Sequence, residues 1–290
     1  MNDTYTEHNT ASRRQRTQLS YQTALSQYRS IRGIARFSWV TWCIASVTII
    51  IWCITAYQFA LATGAHNFHD IIITTLNNAI SIQDRDNDAL SNVLVTYGAK
   101  FNDLILQGQY WRFVTPIFLH ANLLHVLLNM LNFVVLGIFL ERLVGHMRFL
   151  LIYLVTGIVS IIASFYFMPQ EISVGASGAI FGLVGAYSIF VLIHRRAFRN
   201  GGIPVLLWLV IVVIGNLSIG FFVPNVDNYA HIGGLLSGCL LGWWFTPLYT
   251  LSADNVLVDT HSLSRRWPLA LLTIAGTLIL AIIARLTIGG

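Results

Sequence analysis

Seven apolar runs, nearly free of charge and separated by polar stretches, constrain this chain more than any other feature of its sequence. They cover residues 37–62, 119–140, 149–168, 177–193 and 203–223, a sixth run that opens near His231 and gives way to polar sequence at 245, and a seventh at 267–288. A helix crossing a bilayer needs about 20 predominantly apolar residues, because hydrocarbon cannot satisfy an open backbone N–H or C=O. Apolar residues make up 56% of the chain and charged residues 10%, with the charges set between the runs. The pattern predicts an all-α fold, a polytopic membrane helical bundle.

A net charge of +5 would suit a nucleic-acid partner, but nearly all of it is arginine flanking apolar runs, so it reads as membrane topology and no nucleic acid is expected. If the seven runs alternate across the bilayer, thirteen of the seventeen Lys and Arg fall on one side: six in residues 1–36, then Arg142 and Arg148, then Arg195, Arg196 and Arg199, then Arg265 and Arg266. The positive-inside rule makes that side cytoplasmic, with residues 1–36 a basic cytoplasmic tail and residues 63–118 an external loop. A long polar segment without a small-residue cleavage site precedes the first run, which is therefore expected to remain as an anchor. The absence of an Arg/Ser-rich presequence with cleavage signals points to a bacterial inner membrane. Cys43, Cys53 and Cys239 all lie in apolar runs, which suggests packing rather than disulfides or metal ligation.

Within the external loop, Asp84-Arg85-Asp86-Asn87-Asp88 resembles the start of a calcium loop but fails as one. Ala89 stands where the turn needs Gly, and Val95 where a bidentate Glu is required. A solvated acidic tip is expected there. Residues 97–112 mix aromatics, glycines and isolated charges in the manner of an interfacial hairpin.

Chemistry concentrates in three places. Val174-Gly175-Ala176-Ser177-Gly178-Ala179 ends a polar loop and opens a run of about 17 residues, a rod of roughly 25 Å against a hydrocarbon core of about 30 Å. Ser177 therefore sits below the membrane surface, where irregular backbone survives only when buried in protein or lining a water-filled cavity. A hydroxyl, water and free helix N-terminal N–H groups suit hydrolysis through an anionic intermediate. Taken alone, the stretch suits a small-residue packing face at least as well.

The second run holds His120, Asn122, His125, Asn129 and Asn132, polar groups that are expensive in a span. His125 and Asn129 share a helix face and can donate to an oxyanion, or they serve as polar glue between helices. Glu141-Arg142 closes that run as an expected ion pair. In the sixth run His231 precedes Gly234, Gly238 and Gly242, spaced by four for close helix contact. In the alternating topology the second, fourth and sixth runs all enter from the outer face. His125, Asn129, Ser177 and His231 then share one depth.

Gly-Ala-Ser-Gly at 175–178, Ala-His-Ile-Gly-Gly at 230–234, and His125 with Asn129 together resemble the rhomboid family of intramembrane serine proteases. The likeness covers about residues 90–245 and includes Trp111-Arg112 and Glu141-Arg142. It implies a rhomboid-like six-helix core over residues 37–249, followed by a linker and seventh transmembrane helix over 250–290. It also implies Ser177 as nucleophile, His231 as general base and acid, and His125 and Asn129 lining the oxyanion site with the Ser177 N–H. Phe181 falls where relatives carry an aromatic supporting the histidine. Trp111-Arg112 matches a structural motif, and Lys100 replaces an Asn common in relatives.

The implied reaction is peptide hydrolysis in or beside a transmembrane segment of a protein substrate, through an acyl-enzyme and without a cofactor. With no Asp or Glu inside a span to orient His231, a Ser-His dyad of modest turnover is expected. A zinc or aspartyl mechanism fits poorly, since neither a His-Glu-x-x-His motif nor an aspartate lies within a span. A catalytically dead relative that binds transmembrane clients would be expected to lose the dyad. A small transporter would show ionisable groups deeper in the bundle and symmetry between its halves. The substrate's identity and the oligomeric state are not encoded legibly.

Overall fold

The computed structural model describes residues 37–78, 88–222, 226–251 and 257–289. The basic tail at 1–36 and the acidic tip at 84–87 lie outside the described residues. The chain is an all-α membrane bundle. Five helices are long and apolar enough to cross a membrane among the described residues. These are α1 (Trp39–Ala62), α5 (Leu123–Val144), α6 (His146–Phe167), α8 (Ile203–Phe222) and α10 (Leu263–Gly289). Two more lie among them: α7 (Ser177–Ile193), opened by the serine, and α9 (Asn228–Phe245), which carries His231. These two are not among the five; α7 is an apolar helix of only 17 residues.

α6 is the central post: Phe149, Ile152, Tyr153 and Phe165 along it are at most 1% exposed. α7 and α9 pack against it and against each other. A Cβ on Gly234 would lie 1.9 Å from the Gly178 carbonyl oxygen, and one on Gly238 2.0 Å from that of Gly182. Backbone touches backbone along this seam, which only glycine permits. Gly182 and Gly178 in turn face Thr156 and Ser160 of α6.

α5 starts at Leu123, later than the apolar run suggests, because Asn122 is extended and its side chain caps the helix by accepting from His125 N at 2.8 Å. His120 is consequently off the helix. At the other end Glu141 does not pair with Arg142. Fully buried, it accepts from Val40 N at 3.1 Å, Thr41 N at 2.8 Å and Thr41 Oγ1 at 2.6 Å, with His146 Nδ1 beside it, and so caps the start of α1. Arg142 is exposed. Four open N–H groups at a helix start attract a carboxylate more strongly than one surface guanidinium does.

The external loop holds α2 (Phe68–Asn77), α3 (Asp88–Thr96), α4 (Asn102–Leu106) and two 3₁₀ turns, Tyr110–Phe113 and Thr115–Phe118. Its polar residues are anchored in protein rather than spread on an interface as expected. Arg112, 4% exposed, donates to the carbonyls of Val95 and Ala99 at 2.8 Å each, and Asn102 donates to Phe165 O at 2.8 Å. After α9, a two-stranded antiparallel hairpin, β1 (Tyr249–Leu251) with β2 (Leu257–Asp259), leads into α10. Arg148, at the α5–α6 turn, binds Asp259 at 2.6 Å and so ties this segment to the bundle. Cys43 and Cys53 are exposed on the outside of α1 rather than packed, while Cys239 is partly covered by Gly185.

Candidate active site

The site forms where the loop 168–176 delivers the first residue of α7 to the start of α9. Lys100 has no exposed surface. Its backbone pairs with Ser173 in both directions at 3.0 and 3.2 Å, and its Nζ donates to the carbonyls of Met168 and of Glu171, the latter at 2.9 Å. Burial lowers its pKa from 10.5 to about 8, against the pull of Asp227 and Glu171. Gly175 N donates to Pro116 O at 2.9 Å, so the external loop holds both ends of the segment leading to the serine.

Gly175 has φ +126°, which disfavours any side chain, and a Cβ there would lie 2.8 Å from His125 Nε2 and 3.9 Å from Asn129 Nδ2. The two donors of α5 therefore face the backbone immediately before Ser177. Asn129 uses one N–H on the His125 carbonyl at 3.1 Å, leaving its second to face the site. His120 packs edge-on against His125 at 5.0 Å, and its Nε2 accepts from Ala176 N at 3.4 Å.

Ser177 Oγ and His231 Nε2 are 2.9 Å apart, although 54 residues separate them in sequence. Ser177 is half-buried and His231 is 6% exposed. The Phe181 ring lies flat on the imidazole, with centroids 4.5 Å apart and planes at 11°. His231 is the fourth residue of α9, whose N-cap is Asp227: its carboxylate Oδ1 accepts from Ala230 N at 2.9 Å. When the Ser177 hydroxyl donates to Nε2, the imidazole carries its hydrogen on Nδ1. Ser177 opens α7, whose first-turn N–H groups have no partner within the helix. A nucleophilic oxygen, a base within reach and several donors on one side are what acyl transfer requires.

All four residues singled out in the sequence, Ser177, His231, His125 and Asn129, thus border one site. Sequence reasoning missed Lys100, His120 and Asp227 as its supports. Of these, Asp227 carried a usable sign as a capping residue directly before an apolar helix, and His120 was conspicuous as a polar group in an apolar run. No group of His, Cys, Asp or Glu suited to hold a metal occurs among the described residues.

A family model described as the Rhomboid domain matches residues 107–248. The chain is 47% identical over 149 residues to Rhomboid protease GluP of Bacillus subtilis (strain 168), covering 51% of this chain and 28% of that protein. It is 35% identical over 221 residues to RHOMBOID-like protein 6, mitochondrial, of Arabidopsis thaliana, covering 74% and 71% of the two chains. With Putative rhomboid protease YdcA of B. subtilis it shares 35% identity over 144 residues, 71% of that protein.

Proposed function

Because the chain belongs to the rhomboid family, we propose that it is an intramembrane serine endopeptidase that cleaves transmembrane or juxtamembrane segments of membrane proteins. One observation carries this reading: the 2.9 Å approach of Ser177 Oγ to His231 Nε2, at the start of two glycine-packed helices.

In this mechanism Ser177 Oγ bonds to the scissile carbonyl carbon as its proton passes to His231 Nε2. The resulting oxyanion takes hydrogen bonds from the Ser177 backbone N–H, the Asn129 amide and His125, each such donor contributing about 10²–10³-fold in kcat in comparable sites. The C–N bond then breaks, and the departing nitrogen takes the proton from Nε2. Water attacks the acyl-enzyme with His231 again as base, which frees the carboxylic acid product and restores the serine. Phe181 keeps the imidazole plane fixed throughout. Because a continuous helix hides its carbonyls, substrates should carry helix-weakening or small residues at the cleaved bond. The arginine distribution supports a cytoplasmic N-terminus, and we place the protein in a bacterial inner membrane.

The test is covalent labelling of the purified protein by a fluorophosphonate, which needs no substrate. Wild type should label, and Ser177→Ala and His231→Ala should not. A folded wild type that stays unlabelled, or a His231→Ala variant that labels as well as wild type, overturns the proposal and favours a client-binding relative.

A further inference from the structure

Helix α2 is amphipathic in the inverted sense. It lies outside residues 107–248, the part matched by the family model, and none of its ten residues is buried. Gly64, with φ +91°, ends α1 in a tight turn closed by Ala65 N on Ala60 O at 2.9 Å. Asn67 then caps α2 by accepting from Asp70 N at 2.9 Å, so the helix starts within a few residues of the end of a span. At about 15 Å it is too short to cross a hydrocarbon core of about 30 Å. Phe68, Ile72, Ile73 and Leu76 share one of its faces, and that face points away from the protein, with exposures of 76%, 40%, 43% and 53%. The opposite face carries Thr74 and Thr75 and leads to Asn78, all partly buried. Thr75 and Asn78 line a cavity with Thr55 and Phe59 of α1 and with His120 and Asn122 ahead of α5, and Asn78 Nδ2 donates to Ala121 O at 3.5 Å.

A surface helix in water turns its polar side outward. One that turns threonines and an asparagine to the protein and Phe, Ile and Leu outward gains from that orientation only where the medium outside is apolar. Two further observations favour lipid as that medium. The last turns of α1, from which α2 departs, also expose apolar side chains, Ile54, Tyr57 and Leu61, on a helix long and apolar enough to cross a membrane. No Asp, Glu, Lys or Arg stands on the outward face of α2; His69 borders it in the first turn, 3.8 Å from Asp70. The leaflet is fixed by the cavity, because its His120 accepts from the N–H of Ala176, the residue before Ser177. We propose that α2 is a lipid-embedded helix of the external loop, with Phe68, Ile72, Ile73 and Leu76 among the acyl chains of the leaflet that holds the active site. Its threonines and Asn78 then roof the cavity beside His120 and shield it from those chains.

The test uses the full chain in phosphatidylcholine vesicles, with Cys43→Ser, Cys53→Ser and Cys239→Ser as the background. A nitroxide is attached in turn at Ile72→Cys and Leu76→Cys, with Leu61→Cys in α1 as the lipid reference and Asp103→Cys in α4 as the water reference. Labels on α2 should collide with dissolved oxygen at least about threefold more often than with a water-soluble nickel chelate, as at Leu61 and in the reverse order from Asp103. A ratio matching that of Asp103 puts the face in water and overturns the proposal. Rare collisions with both reagents mean that protein covers the face, whether a second copy or another segment of this chain, and overturn it as well. A second measurement needs no label: Ile72→Asp combined with Leu76→Asp places carboxylates in hydrocarbon and should lower the thermal midpoint in vesicles by more than about 3 °C, whereas water-facing positions tolerate the exchange. A smaller shift also overturns the proposal. Neither readout involves catalysis, so both stand apart from the chemistry assigned to Ser177.

Discussion

Gly234→Ala should silence the enzyme without unfolding it. A Cβ at this position would lie 1.9 Å from the Gly178 carbonyl oxygen, a backbone atom that cannot rotate aside. Side-chain carbons essentially never approach closer than 3.0 Å, so α7 and α9 must separate by about 1 Å or more at this level. Gly234 is three residues beyond His231 and Gly178 is one beyond Ser177, so the separation falls almost entirely on the 2.9 Å serine–histidine contact. Opening it by about 1 Å takes it past hydrogen-bond reach, and a misplacement of that size costs roughly 10²-fold in rate. Overpacking should remove only about 1–3 kcal/mol of stability. The assay is the acylation rate by fluorophosphonate together with the thermal midpoint of the same preparation. A Gly234→Ala protein that acylates within threefold of wild type would refute the claim that backbone contact sets the dyad distance.

Other perturbations probe the supports of the site. Phe181→Ala removes the ring stacked on His231 and should cut acylation about tenfold, with Phe181→Tyr retaining most of it, as measured by the same labelling rate. Glu141→Ala leaves the N–H groups of Val40 and Thr41 buried and unpaired and should cost about 3 kcal/mol, seen as a lower midpoint in thermal or denaturant unfolding with little change in acylation rate at permissive temperature. Lys100 has its pKa lowered to about 8 in the fold, so between that value and its ordinary 10.5 the unfolded chain binds a proton the folded chain has shed. Stability from this group therefore rises with pH over that window. Comparing unfolding at pH about 7.5 and about 9.5, wild type should gain on the order of 1–2 kcal/mol relative to Lys100→Met, and a pH-independent difference would contradict the assignment.

Hydropathy alone determined that this chain is a helical membrane protein, because a bilayer accepts few backbone arrangements and most of the apolar runs have the length it demands. The family motifs were equally legible: Ser177, His231, His125 and Asn129 stand in local contexts that small residues and polar groups inside apolar runs make conspicuous. What remained hidden depended on contacts between distant segments. Nothing near Glu141 in sequence reveals that it caps a helix about 100 residues earlier, while the adjacent Arg142 is a plausible but wrong partner. Lys100 looks like a stray loop charge until the fold buries it against the carbonyls leading to Ser177. Periodicity and hydropathy report what a segment can bury, whereas the partner of a buried polar group is chosen by three-dimensional packing, and in this protein that packing sets the serine–histidine distance.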